Sequence, residues 1–152
     1  MTSTANLPTA DRSDDAGHEH TTRTIVWGLV AGVLNAAVPF ATWWLDPATV
    51  HALIITLIAA VYIGFAVADG RPHVIVAECS VTVLFVIVAA SSVTNTAWLL
   101  VIAYFAHGLK DLWQHRSQFV TGTRWWPTFC AAVDFLVAAV IATEIVSGVN
   151  FR

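Results

Sequence analysis

The feature that most constrains this chain is a series of long apolar runs separated by short turn-forming stretches. A helix needs about 20 residues to cross the hydrocarbon core of a bilayer, and five runs approach or reach that length. They cover residues 24–45, 49–67, 73–93, 96–115 and 127–149. Turn chemistry separates them, for example Asp46-Pro47 after the first run. The sequence therefore predicts an all-α, multi-pass bundle of five transmembrane helices.

The composition agrees with a lipid-exposed protein. Hydrophobic residues make up 57% of the 152 residues and charged residues 11%, whereas soluble domains carry about 25% charged residues. So few charges cannot cover a surface that faces water, but lipid solvates apolar faces. The sequence has no basic stripe of the kind that binds nucleic acid. We therefore expect the lipid bilayer to be the main partner.

Arginine placement predicts the orientation of the spans. Residues 1–23 are polar and acidic, without the apolar core of a signal peptide, so we expect a disordered tail before a 24–152 transmembrane domain. Five arginines fall on the side of that tail: Arg12, Arg23, Arg71, Arg116 and Arg124. Only Arg152 falls on the other side. The positive-inside rule then places the N-terminus in the cytoplasm and the C-terminus outside, in a plasma membrane.

Small residues in the first run predict a close helix contact. Gly28 and Gly32 are four residues apart, a spacing that lets two helix backbones approach each other in lipid. The pattern fits a contact within the chain or a contact between two copies. A homo-oligomer is therefore one of two open interpretations.

Ionisable residues inside the apolar runs are the candidates for function. Such groups are costly in lipid and usually face the bundle interior. They are His73 and Glu78 in the third run, His107, Lys110, Asp111 and His115 in the fourth, and Asp134 in the fifth, with Asp69 closing the second. At 1.5 Å per residue, Glu78, His107, Asp111 and Asp134 lie about 6–12 Å from the inner boundary. We therefore expect these four to share one layer near the cytoplasmic leaflet, with Asp69 and His73 at its mouth.

The fourth run carries the sharpest spacing. His107, Asp111 and His115 follow each other at intervals of four, which places them on one helix face. Imidazole and carboxylate groups at this spacing can bind one cation, as in known helical metal motifs. With Glu78 and Asp134 from neighbouring helices, His107, Asp111 and His115 would form a mixed nitrogen and oxygen shell for Zn, Fe or Mn. Metal-free acid/base catalysis by Glu78, His107, Asp111 and Asp134 is the other version, and structural ion pairing is the third.

The remaining polar residues have more ordinary interpretations. Lys110 either extends to the headgroups or pairs with an acid on a neighbouring helix. Asn35 either bonds across a helix pair or lines a cavity. Tyr62 and Tyr104 are interpreted as ordinary amphipathic residues, and His51 is assigned to the outer loop.

Two stretches carry a resemblance. The sequence AHGLKDLWQHR, followed by RWWPTFCAAVD, is similar to a pattern in small uncharacterised bacterial integral membrane proteins. The resemblance covers residues 62–134. It implies a bacterial membrane protein and no particular activity. The sequence lacks the catalytic motifs of rhomboid proteases, the HxxxH boxes of membrane desaturases and the aspartate-rich motifs of membrane prenyltransferases.

The buried histidine and carboxylates favour an intramembrane enzyme. Its substrate would be a lipid, an isoprenoid-like molecule or another hydrophobic small molecule, because the site is reached from lipid or from the inner interface. A proton-coupled transporter is an alternative, since chains of Asp, Glu and His also relay protons. A non-enzymatic accessory membrane subunit is another. The structural prediction is that four side chains converge on one interior volume: those of Glu78, His107, Asp111 and Asp134.

Overall fold

The computed structural model describes residues 10–123 and 125–151, and all regular structure within those residues is helical. The helices are α1 (Ala10–Ala36), α2 (Val38–Ala41), α3 (Pro47–Asp69), α4 (Pro72–Thr94), α5 (Trp98–Ser117) and α6 (Trp126–Val146). The predicted all-α class is therefore confirmed. The predicted runs agree with α3, α4, α5 and α6 to within a few residues at each end.

Four segments are long and apolar enough to cross a bilayer. Among the described residues, they are Thr21–Ala41, Pro47–Asp69, Pro72–Thr94 and Trp126–Val146. Helix α5 is not one of these four segments. Charged and amide side chains in its last turns make it too polar as a whole. The membrane character of the chain thus follows from four helices, and a fifth span remains a prediction.

The first run differs most from its predicted bounds. The helix begins at Ala10 rather than Thr24, so residues 10–23 of the expected tail are helical. The run then breaks at Ala37, because Pro39 has no N–H to donate to the carbonyl of Asn35. Residues 1–9, together with Arg124 and Arg152 from the orientation argument, lie outside the described residues.

The ends of α3 have clear local causes. Asp46 caps its start, because its carboxylate accepts hydrogen bonds from the Thr49 amide at 2.8 Å and from the Thr49 hydroxyl at 2.6 Å. These bonds hold the pKa of Asp46 below its ordinary value. Pro47 occupies the first turn, where its missing N–H is not needed. Gly70 ends the helix with a φ of 79°, a left-handed conformation that glycine adopts without strain.

The two loops at the predicted inner end are joined to each other. Asp69 pairs with Arg71 and accepts a hydrogen bond from the Thr121 amide at 2.8 Å. Arg71 also donates to the carbonyl of Phe119 at 2.6 Å. These contacts fix the loop after α3 against the loop before α6.

The helices pack around α5. This helix contacts α6, α4 and α3, while α3 pairs with α4. Within the described residues, α1 packs along α6 and does not pack against α3. A Cβ added to Gly28 would lie 2.6 Å from the carbonyl oxygen of Phe129, and one added to Gly32 would lie 2.9 Å from a methyl group of Leu136. The two glycines therefore serve a contact within the chain.

Candidate functional site

A buried triad forms where α5 meets α6. His107 and Asp111 lie one turn apart on the face of α5 directed at α6, and Asp134 faces them from α6. The Nδ1 atom of His107 lies 2.8 Å from Oδ2 of Asp134 and 3.5 Å from Oδ2 of Asp111. All three residues are 0% exposed. Three of the four predicted catalytic residues therefore converge, and we call His107, Asp111 and Asp134 the triad.

Aromatic side chains enclose the triad. The hydroxyl of Tyr62, on α3, donates a hydrogen bond to Oδ1 of Asp111 at 2.6 Å. The rings of Tyr62 and Phe85 flank the imidazole of His107, with centroid distances of 5.9 Å and 5.0 Å. Tyr62 is thus part of the site and not merely an amphipathic residue. The sequence contained a signal for this role. Tyr62 lies seven residues before Asp69, which ends the helix, so its depth of about 10 Å falls in the predicted polar layer.

The triad is not fully satisfied by protein groups. Oδ1 of Asp134, Oδ2 of Asp111 and Nε2 of His107 are buried and have no hydrogen-bond partner in the described part of the chain. A buried polar atom without a partner is rare in native proteins and needs an explanation. The charge is also unbalanced, since two carboxylates face one imidazole that supplies at most one positive charge. The triad can therefore accept a proton or a cation.

Glu78 belongs to a second, separate cluster. Its carboxylate lies 2.9 Å from Nζ of Lys110 and accepts a hydrogen bond of 2.9 Å from the amide of Gln114. Nζ of Lys110 lies 3.5 Å from the centroid of the Tyr62 ring, and the lysine side chain is only 13% exposed. Lys110 thus pairs across helices instead of extending to the headgroups. We call Glu78, Lys110 and Gln114 the Glu78 cluster.

The other predicted site residues lie outside the triad. His115 is exposed, and its Nδ1 lies 3.2 Å from the hydroxyl of Thr128. Eight residues make slightly more than two helical turns, so His115 is rotated roughly 80° from His107 about the helix axis. His73 is also exposed, and Asp69 is held by the loop contacts. Of the predicted metal ligands His107, Asp111, Glu78 and His115, only the first two therefore share a cluster.

A cleft reaches the triad from the side. It lies between α1, α3 and α6 and has a volume of about 260 Å³. Its walls include Leu57 and Val61 from α3, Val133 and Asp134 from α6, and Asn35 from α1. Asn35 thus lines a cavity, one of its two interpretations, and its Oδ1 is buried without a hydrogen-bond partner in the part of the chain that the structure describes. We call this space the α1 cleft.

The donor set of the triad fits a divalent metal. One imidazole nitrogen and two carboxylate oxygens, all within 4.8 Å of one another, could serve as ligands. Three protein ligands of this kind leave a coordination position open, as in catalytic zinc sites. The unpartnered oxygens of Asp111 and Asp134 agree with such a role. Asp134 would then complete the ligand set without Glu78 and His115.

In comparisons with known proteins, the chain matches no family model, no curated protein and no solved structure.

Proposed function

We propose that this protein is an intramembrane enzyme that moves protons within a hydrophobic substrate, with Asp134 as the catalytic residue. One observation carries the proposal. Oδ2 of Asp134 is hydrogen-bonded to His107, Oδ1 is buried without a hydrogen-bond partner among the described residues, and Asp134 is one of the residues that line the α1 cleft. The same residue therefore bonds to an imidazole and borders a space that a substrate can enter.

The proposal includes five spans, with α5 as the fourth to cross. The outward face of α5 is apolar: Ile102, Phe105 and Leu109 are 57%, 52% and 49% exposed. Its charged groups instead face the other helices, as expected for ionisable residues within a bilayer. Combined with the arginine asymmetry of the sequence, this supports a cytoplasmic N-terminus and a C-terminus outside a plasma membrane. The triad then lies near the cytoplasmic leaflet.

The chemistry is general acid/base catalysis. Asp134 removes a proton from one substrate atom through Oδ1, and the hydrogen bond from His107 to Oδ2 stabilises the carboxylate that does so. Asp111 orients the imidazole and favours its charged form, while the Tyr62 hydroxyl fixes Asp111. Asp134 then returns the proton to a different substrate atom. The substrate is isomerised or cyclised, so no oxidant, reductant or water is consumed.

A divalent metal such as Zn, Fe or Mn is an optional part of the site. His107, Asp111 and Asp134 would hold it, and it would supply positive charge that polarises a substrate oxygen. Elemental analysis of the purified protein decides between the two versions. In the metal version, His107→Ala loses the metal and the wild type carries about one equivalent.

The substrate class follows from the route to Asp134. The α1 cleft is walled mainly by apolar side chains, and Leu57 at its edge is 67% exposed on the outward face. A molecule that enters there comes from the hydrocarbon layer of the bilayer. We therefore propose a lipid or isoprenoid-like substrate.

The test compares the lipids of cells that make the wild type, Asp134→Asn or His107→Gln at matched amounts of folded protein. Chromatography with mass detection should show a lipid with unchanged mass and altered retention only in the wild-type cells. Glu144→Gln is the matched control, because Glu144 is a carboxylate on the same helix outside the triad. Identical lipid profiles for wild type and Asp134→Asn would refute the enzyme proposal.

A proton-coupled carrier is the second candidate, because the structure adds polar groups to the outer half of the bundle. His51 is part of α3 and is 1% exposed, whereas the sequence had suggested the outer loop. Its carbonyl accepts a hydrogen bond from the Tyr104 hydroxyl at 3.3 Å, and Tyr104 lies one turn from His107 on α5. A carrier would dissipate an imposed pH gradient in proteoliposomes when its substrate is added. The enzyme would leave that gradient unchanged.

A further inference from the structure

We infer that the α1 cleft binds an amphiphile through a head group that donates hydrogen bonds and carries no negative charge. The inference rests on the proposed function, since Asp134 is common to both, and it specifies which part of the substrate meets that residue. A hydroxyl and a protonated amine are the two head groups with this chemistry.

Two residues that line the cleft each carry a buried acceptor oxygen to which no donor of the described residues is bonded. Oδ1 of Asp134 and Oδ1 of Asn35 both belong to residues that line the cleft, and neither buried oxygen has a hydrogen-bond partner within residues 10–123 and 125–151. Asp134 itself is 0% exposed. A carboxylate oxygen and an amide oxygen are acceptors, so the matching group on a ligand must donate.

Charge excludes an anionic head group. The carboxylate oxygens of Asp111 and Asp134 lie within 4.8 Å of each other, and only His107 stands between them. A carboxylate or phosphate placed at Asp134 would add a third negative charge in surroundings of low dielectric, where repulsion is strong. An amine would reduce the excess negative charge, and a hydroxyl would leave it unchanged.

One buried donor in the wall belongs to a different end of the cleft. Trp126 lines the same space, and its Nε1 is buried without a hydrogen-bond partner in the described residues. Trp126 precedes Asp134 by eight residues, about 12 Å along the helix axis. A single head group cannot reach both positions, so Trp126 does not define the head-group end.

The arrangement of helices gives the ligand a lateral entrance. The glycine contacts hold α1 against α6, whereas within the described chain the backbones of α1 and α3 stay more than 8 Å apart, measured between Cα atoms. The resulting gap lies between α1 and α3, where Val61 is 39% exposed. Its 260 Å³ is slightly below the usual range of ligand pockets, about 300–1,000 Å³. The cleft therefore holds the head group and the first part of a chain whose remainder stays in lipid.

The experiment is photocrosslinking in lipid nanodiscs with three matched probes. Each has the same twelve-carbon chain and a diazirine beside the head group, which is an amine, a hydroxyl or a carboxylate. We expect the amine, the hydroxyl or both to label the α1 cleft at Leu57, Val61 or Val133, and the carboxylate to label it at least fivefold less. Unlabelled dodecylamine or dodecanol should compete with the corresponding probe.

Three variants show whether the labelling reports this cleft. Asp134→Asn should weaken labelling by the amine. Val61→Trp should abolish labelling, because the larger side chain blocks the entrance. Tryptophan is tolerated at this partly lipid-exposed position, so the bundle should still fold. Glu144→Gln should change nothing. Equal labelling by the carboxylate probe, or labelling that survives Val61→Trp, would overturn the inference.

Crosslinking needs no turnover, so its failure is distinguishable from failure of the enzyme proposal. Selective labelling with an unchanged lipid profile would support the binding site and refute the reaction. An altered lipid profile without selective labelling would support the reaction and overturn the head-group assignment.

Discussion

The triad and the Glu78 cluster are two buried polar groups on adjacent turns of α5, and they differ in how their charges are matched. In the Glu78 cluster, one carboxylate faces one ammonium group at 2.9 Å and also accepts a hydrogen bond from an amide. In the triad, two carboxylates share one imidazole, and each has an oxygen without a hydrogen-bond partner among the described residues. The first arrangement is balanced in charge by itself, although within the described residues Oε1 of Gln114 is buried without a hydrogen-bond partner and the Glu78–Lys110 contact is an ion pair without hydrogen-bond geometry. The second needs a proton, a cation or a substrate, which is why we assign function to the triad and a structural role to the Glu78 cluster.

Tyr62 contacts both clusters through different parts of its side chain. Its hydroxyl donates to Asp111, while its ring lies 3.5 Å from Nζ of Lys110. A change that removes only the hydroxyl therefore affects the triad and leaves the cation–π contact in place. The comparison between the two clusters can thus be tested by substitutions that alter one and spare the other.

The largest effect is expected when the Glu78 cluster loses its cation. Lys110→Met removes the ammonium group and leaves the Glu78 carboxylate buried and unpaired. Breaking a buried ion pair in this way lowers the free energy of unfolding by about 3–5 kcal/mol. Denaturant unfolding in detergent, followed by circular dichroism, measures the loss.

The double variant Lys110→Met/Glu78→Gln is its control. It removes both charges and should recover most of the stability lost in the single variant. If Lys110→Met alone were as stable as the wild type, the pair would be solvated and the structural role assigned to the Glu78 cluster would be wrong.

A smaller loss in the free energy of unfolding is expected from Tyr62→Phe. The substitution removes the hydrogen bond to Asp111 and retains the ring, and a hydrogen bond to a charged group contributes about 1.5–3 kcal/mol. The same unfolding measurement applies, with Tyr104→Phe for comparison because the Tyr104 hydroxyl donates only to a carbonyl. A larger loss for Tyr104→Phe would indicate that Asp111 gains little from Tyr62.

The smallest effect is expected at His115, which the sequence placed among the metal ligands and the structure places outside the triad. His115→Ala removes an exposed imidazole whose described partner is the Thr128 hydroxyl. Surface substitutions of this kind change stability by less than about 0.5 kcal/mol. Bound metal, if the wild type carries any, should be unchanged in elemental analysis, and its loss would return His115 to the site.

The fold was largely predictable because hydropathy and turn residues act locally. The predicted bounds of α3 and α4 agree with the structure because Asp46-Pro47 and Gly70-Arg71-Pro72 begin and end those helices through their own backbone preferences. The break after Ala36 was missed, although Pro39 gives its physical reason. A proline within an apolar run is easily included in a span when hydropathy alone is considered.

The site was predictable only in part. The sequence indicates how deep a residue lies in the bilayer, but it does not indicate which helix its side chain faces. The sequence placed Glu78 and Asp134 in one layer, and both are buried near α5. It could not tell which helices are neighbours, so it could not separate the carboxylate that meets Lys110 from the one that meets His107. The spacing of His115 was misleading for a related reason, since eight residues rotate a side chain well away from the starting face.

The measurement that tests the central claim most directly is the melting temperature of Asp134→Asn in detergent, beside wild type and Glu78→Gln. The triad contains mutually repelling carboxylates, so neutralising Asp134 should leave the melting temperature unchanged or raise it. Glu78→Gln leaves Lys110 without its ion-pair partner and should lower the melting temperature. A fall for Asp134→Asn as large as that for Glu78→Gln would contradict the account, because the triad would then be structural as well.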